Sequence, residues 1–301
     1  YLALRGVEGW LGIGLGCWAV LTVKHYSELR QGWEWRPWVR RLYIIATDRR
    51  VGMRRIFAFV LVAVFVGVSL ATVGSSDLSG VWAQLVVSSQ LSDVPFAGRV
   101  RQQTISIQRV NIQQSGGTVT LEAQTCALEF DSGTPLVKIS FPERFVNSLG
   151  IDVKQAQFDP STLSFVQPRT TYLRGVRLQD PERDPLPTDP KDPRIFDQDG
   201  DGKPGMTIVA SIMGLLNAEI YIIQRDWNIL RGRLTSSTTL DGLVEWGSEQ
   251  VILGATNPLF LNPNPVFPDP NPNNSFFRST RVNDGTSCEQ IRAQRDRLFA
   301  R

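Results

Sequence analysis

Histidine is almost missing from this chain. Its single copy, His25, lies near the start, and nothing beyond residue 76 replaces it. That absence excludes Ser-His-Asp and Cys-His catalysis, His-ligated zinc and a histidine pH switch from the rest of the chain. Cysteine is nearly as scarce. Cys17 is upstream, which leaves Cys126 and Cys288, too few to close a zinc or iron–sulfur site unaided. A basic excess is also missing from the larger part. Residues 77–301 carry 22 Lys/Arg against 25 Asp/Glu, a net of −3, whereas residues 1–76 carry ten against four, a net of +6. The whole-chain charge of +3 thus originates in the first quarter, and no nucleic-acid partner is expected.

What is present is globular composition rich in turns: 42% apolar and 20% charged residues, with 25 glycines and 18 prolines among 301. The chain divides into three parts. Residues 56–76 run without a charge directly after Met53-Arg54-Arg55. A basic start, an apolar run and small residues at Ser69, Ala71 and Gly74 predict that 53–76 is a secretory signal peptide, cleaved after Ala71 or Gly74, or else a retained membrane anchor. Met53 is the first methionine, so residues 1–52 read as a non-native upstream leader. The other reading of 1–52 is a two-span anchor with a positive loop around Arg36, Arg40 and Arg41, although the uncharged run 9–23 is shorter than the roughly 20 residues a span needs. Residues 77–301 form the third part, a single β-rich domain. Export to a periplasmic, outer-surface or extracellular address follows, with membrane contact only through an uncleaved leader.

Alternation of apolar residues with period two dominates from about Val81 to Leu253. Residues 80–87 read as a first strand. Residues 103–113 and 118–130 flank Gln114-Ser115-Gly116-Gly117, a hairpin signal. Both flanking runs change parity midway, from Ile105 and Ile107 to Val110 and Ile112, and from Ala123 to Cys126, which predicts a β-bulge in each. Residues 136–141 form another strand, and Pro142 to Gly150 a short helix. Residues 206–213, 218–224, 229–235 and 243–253 read as further strands, with turns at Arg225-Asp226-Trp227-Asn228 and Asp241-Gly242. Proline-rich stretches at 180–193 and 257–274 are surface loops. A C-terminal helix spans 287–299, with Ser287 and Gln290 in a capping-box pattern and Ile291 and Leu298 on one face. The sum is a mainly β protein, an antiparallel β-barrel of roughly eight to ten strands with a short mid-chain helix and a C-terminal helix.

The sharpest chemical motif is Asp197-Gln198-Asp199-Gly200-Asp201-Gly202-Lys203-Pro204-Gly205. Acids at positions 1, 3 and 5 with glycine at 6 open an EF-hand-type calcium loop, in which alternate carboxylates converge on one hard cation and position 7, Lys203, offers its carbonyl. This half-loop resembles the calcium loops of dockerins and thrombospondin-type repeats. Position 12 is Ile208 instead of a bidentate glutamate, so Glu219 or Asp192 is expected to complete the shell. The ion would be structural. Cys126 and Cys288, the two thiols of an exported domain, are expected to pair as a disulfide. Glu219, Asp241, Glu245 and Glu249 supply carboxylates of the kind glycosidases use, but acids on strand surfaces are ordinary and no enzyme activity is expected. Tyr221, Trp227 and Trp246 are candidates for a ligand pocket, with packing the stronger reading.

Gly80-Val81-Trp82, at the head of the first strand, resembles the Gly-x-Trp start of lipocalins and related calycins. That resemblance implies an eight-stranded barrel closed at one end by Trp82 and able to hold a small apolar ligand. The alternative reading is a calcium-stabilised structural or cell-surface interaction module without a ligand cavity.

Overall fold

The computed structural model describes residues 77–94, 97–262 and 266–300. The leader and signal-peptide readings of residues 1–76 lie outside them. Eleven strands make one antiparallel sheet: β1 (Gly80–Val94), β2 (Gly98–Ser115), β3 (Thr118–Asp131), β4 (Val137–Ser140), β5 (Ile151–Asp159), β6 (Ser164–Arg174), β7 (Met206–Ile212), β8 (Leu216–Ser236), β9 (Thr239–Ala255), β10 (Val266–Pro268) and β11 (Phe276–Arg281). Eight of them close a barrel-like ring in the order β1, β2, β3, β5, β6, β8, β9, β11 and back to β1. Each neighbour in the ring is also the next ring strand in the chain, so the path is an up-and-down meander. Strand β10 pairs with the end of β1.

Between β3 and β8 the wall has two tiers. Strand β5 pairs with Thr118–Gln124 of β3, and β6 pairs with residues 224–233 of β8. Beyond them along β8, residues 216–222 pair with β7, which carries β4 on its other edge. Strands β5 and β6 pair only at Gln157–Asp159 with Ser164–Val166 and then diverge. Short helix α1 (Glu143–Ser148) and the 175–205 connection lie where the tiers meet. Helices α2 (Cys288–Ala293) and α3 (Arg295–Leu298) follow the last strand.

The registers assign the inner face. Trp82, Val110 and Ala123 stand opposite one another across β1, β2 and β3. Phe158 stands opposite Phe165, and Phe277 opposite Val86. Trp82, Phe158, Phe165, Leu230, Leu240 and Phe277 join in one buried cluster fed by all eight ring strands. Burying each such side chain contributes about 1.5–3 kcal/mol, so this end of the ring is filled by its own side chains. A second inner cluster gathers Phe145 of α1 with Met206, Ala210, Ile220 and Ile222 on the upper tier.

Several local expectations are corrected. Strand β2 has no bulge against β1: fifteen consecutive pairs run from Gly80–Ile112 to Val94–Gly98. Ile107 therefore stays on the outer face, where Ile291 of α2 and Phe299, just after α3, cover it. The bulge in β3 is real: Cys126 is the extra residue between Thr125, opposite Gln108, and Ala127, opposite Ile107. Residues 225–228 are not a turn. They lie inside the 21-residue strand β8, paired on both edges by β6 and β9, and those ladders override a polar local sequence. Asp241-Gly242 is not a turn either; the hairpin bends between Ser236 and Thr239. Gly242 is needed because the Phe277 ring packs on it: a Cβ there would lie 2.5 Å from that ring and 2.2 Å from the Arg231 carbonyl oxygen. The C-terminal helix breaks at Gln294 into α2 and α3, although Ser287 and Gln290 do form the capping box.

Candidate metal centre

Residues 197–205 join the lower tier to the upper one. Asp197 and Gly205 form a bridge at the base of the loop, and Gln198 anchors it. The Gln198 side chain accepts from Gly175 N–H at 2.6 Å and donates to the Ser148 carbonyl at 3.2 Å, tying the end of β6 to the end of α1. Gly205 has φ +82°, and a Cβ there would lie 2.1 Å from the Ile222 carbonyl oxygen, so only glycine lets the loop approach β8 this closely.

Within that frame Asp197, Asp199 and Asp201 each direct a carboxylate oxygen to one place, all within 4.8 Å of one another, a cluster that could hold a metal ion. Asp197 also organises the loop, accepting from the N–H groups of Gly200, Asp201 and Gly202. Asp201 accepts from Lys203 N–H at 2.8 Å and from Thr207 Oγ1 at 2.6 Å. Asp199 accepts from Thr207 N–H through Oδ2 at 3.1 Å. Its side chain is 0% exposed, and its Oδ1 has no hydrogen-bond partner among the described residues. Burial pushes the Asp199 carboxyl above its ordinary range; Thr207 N–H opposes this and the neighbouring Asp201 reinforces it. A buried carboxylate oxygen without a donor costs about 1–3 kcal/mol or more, and a bound cation is one group that would satisfy it. The donor set, all hard carboxylate oxygen, suits calcium or magnesium and not a soft metal.

The expected fourth acid does not arrive. Asp192 is held by Arg194 at 2.7 Å, and Glu219 lies beside the Tyr221 hydroxyl at 3.4 Å. Lys203 is exposed, with its ammonium 5.6 Å over the Tyr221 ring. Two participants had no place in the sequence reading. Thr207 stands one residue short of the position that carries glutamate in an EF-hand. Arg144, on α1, reaches Asp201 Oδ2 at 3.0 Å and Asp199 Oδ2 at 3.7 Å.

The disulfide is formed: Cys126 and Cys288 are bonded, with α-carbons 5.0 Å apart and a sequence separation of 162. It fastens α2 to the bulge of β3.

The remaining candidates scatter. Asp241 pairs with Arg278 at 3.1 Å and Glu249 with Arg225. Trp227 faces outward beneath Arg169, whose guanidinium carbon is 4.2 Å from the ring centroid. Trp246 packs against the inner cluster and donates to Ser275 Oγ at 3.2 Å. Tyr221, Trp227 and Trp246 therefore line no common pocket. A hollow of about 410 Å³ lies on the outer face, lined by polar groups such as Arg109, Asn111, Glu122 and Asp284.

Inside the ring, a polar belt lies where β5 and β6 diverge. Asp152 on β5 meets Arg174 on β6 at 3.4 Å, and the Lys154 ammonium lies 5.4 Å from the Tyr172 ring centroid. Asp226 stands opposite Tyr172. Burial lowers Lys154 to about 8, against the attraction of Asp152, and raises Asp226 to about 6, against Arg174. Burial likewise raises the Tyr172 phenol. Its hydroxyl faces the Asn228 amide without hydrogen-bond geometry, and Asn228 accepts from Gln167 at 2.8 Å. This belt is charged, unlike the lining of an apolar ligand site.

No protein family, curated protein sequence or solved structure matches the chain.

Proposed function

We propose that this chain is an exported, non-catalytic barrel-like module whose acidic loop holds a structural calcium ion. The observation that carries the reading is Asp199 Oδ1, buried among carboxylates and lacking a donor. Asp197, Asp199 and Asp201 are the ligands, and the ion would supply charge that holds the junction between the β5–β6 and β4–β7 tiers. Export is supported by the Cys126–Cys288 disulfide, since such bonds persist in oxidising compartments. Among the described residues no helix is long and apolar enough to cross a membrane.

Of the two readings of the barrel, an apolar-ligand carrier and a calcium-stabilised structural or surface-interaction module, the second is favoured. The apolar end of the ring is packed by Trp82, Phe158, Phe165 and Phe277, and the belt beyond it carries Asp152, Lys154, Arg174 and Asp226. The meander beginning at Gly80-Val81-Trp82 supports the calycin resemblance as a matter of architecture only. The test is thermal unfolding of the full chain in millimolar calcium and in chelator, for wild type and Asp199→Ala. Calcium should raise the melting temperature of the wild type alone, by the equivalent of about 2.7 kcal/mol at a hundredfold excess over Kd. Equal melting temperatures for the wild type would overturn the reading.

A further inference from the structure

Resting on the calcium reading, we infer that Arg144 is the resident counter-cation of the acidic loop, that it competes with the divalent ion for Asp199 and Asp201, and that ion binding releases the Arg144 side chain from the loop. Among the described residues Arg144 is the cation in ion-pair contact with the triad, at 3.0 Å from Asp201 Oδ2 and 3.7 Å from Asp199 Oδ2. The other contacts of the triad come from neutral donors: loop N–H groups on Asp197, Lys203 N–H on Asp201, and Thr207 on Asp199 and Asp201. Three carboxylates this close repel one another, so the ion-free loop depends on the guanidinium for its positive charge.

A calcium ion held by Asp199 Oδ1 and the carboxylates of Asp197 and Asp201, at its usual 2.3–2.6 Å, sets a double positive charge beside the guanidinium that now contacts the Oδ2 atoms of Asp199 and Asp201. That repulsion, with the withdrawal of carboxylate charge toward the ion, expels the arginine. It can leave at little cost, because its side chain is 44% exposed whereas those of Asp199 and Asp201 are 0% and 5%. The helix that carries it stays seated. Phe145 packs in the inner cluster with Met206 and Ile220, and its ring lies 5.2 Å from that of Phe141. What changes is one polar tether between α1 and the loop. Gln198, bonded to the Ser148 carbonyl, remains as the other. By linkage, whatever factor Arg144 costs the ion, the ion costs the Arg144 contact.

The experiment is a titration of the full chain with terbium, sensitised through Tyr221 beside the loop and displaced by calcium, for wild type, Arg144→Gln and Arg144→Lys. Arg144→Gln should bind calcium about tenfold more tightly, equivalent to about 1.4 kcal/mol, and should melt at a lower temperature in chelator. Arg144→Lys should fall between. Equal affinities in wild type and Arg144→Gln would overturn the competition while leaving the calcium site intact, and weaker binding by Arg144→Gln would make Arg144 a positioning residue instead. Absence of terbium or calcium uptake by every chain would overturn the calcium reading itself. A second measurement needs no variant: in the wild type, the side-chain NMR signal of the Arg144 guanidinium should move toward that of a solvated arginine when calcium is added, and an unmoved signal in the calcium-loaded chain would overturn its displacement.

Discussion

Arg281, on the last strand, lies over the indole of Trp82, on the first, with its guanidinium carbon 4.6 Å from the ring centroid. The same guanidinium donates to the carbonyls of Asp77 and Ser79, and Trp82 Nε1 donates to the Leu78 carbonyl at 2.8 Å. One end of the ring is thus closed by a tryptophan, an arginine and the segment that precedes β1. Arg281→Ala removes charge-assisted hydrogen bonds and a cation–π contact together, and should cost about 2 kcal/mol in urea unfolding. Arg281→Lys should recover little, because a point charge cannot serve two carbonyls and stack at once.

Breaking the Cys126–Cys288 bond should destabilise through the unfolded chain. A loop of this length corresponds to about 5 kcal/mol in the chain-entropy treatment, and 2–5 kcal/mol is the usual loss. Cys126→Ser/Cys288→Ser should melt well below the wild type, and reductant should lower the wild type alone. Because the bond also holds α2 over Ala83 and Ile107, amides of 288–298 should lose protection first.

The polar belt should make stability depend on pH in a definable direction. Burial lowers Lys154 to about 8 from 10.5, so the folded chain binds fewer protons than the unfolded chain across that window. Stability should therefore rise as pH increases from about 8 to about 10.5, with the full cost of the buried ammonium below it. Asp226, raised from 3.8 to about 6, should make stability rise as pH falls through about 6. Lys154→Met/Asp226→Asn should abolish both slopes and gain about 1–4 kcal/mol at pH 7, as replacement of buried ion pairs by neutral groups often does. Urea unfolding from pH 5 to pH 10 measures this.

Gly205→Ala should be among the most damaging single-methyl changes. It combines a left-handed backbone conformation with a Cβ only 2.1 Å from the Ile222 carbonyl oxygen. A loss of about 3 kcal/mol or more is expected, measured by denaturant unfolding. Gly202→Ala, with open space around its Cβ position, should cost about 1 kcal/mol.

What could be read from the chain depended on whether the determinant was local. The β2–β3 hairpin announces itself through Gly116-Gly117 between alternating runs, and the acidic loop through acids two residues apart. The disulfide followed from having two thiols beyond residue 76 and an expectation of export. Strands β5 and β6 were not singled out, because inward-facing Asp152 and Lys154 erase the apolar alternation that marks a strand. Residues 225–228 looked like a turn for the same reason: Asp226 and Asn228 point into the ring, where a polar side chain is least expected. Arg144 was invisible because more than fifty residues separate it from the acids it touches. Ile107 kept its unexpected side because the C-terminal helices supply a second apolar surface outside the ring.

The pairing of the first strand with the last has a consequence for the order in which the molecule is made. Trp82 finds its ladder partner at Arg281, so the ring stays open while nearly every other strand is already available. Strand β11 completes the ring by pairing with both β1 and β9. The disulfide partner of Cys126 emerges a few residues later still. A growing chain therefore carries an unclosed sheet with two bare edges until residues 276–281 appear. Such non-local closure is slow, and while it waits those edges can pair with other chains. The C-terminal segment is in this sense a latch, and truncations that remove only it should leave a chain that collapses but does not close.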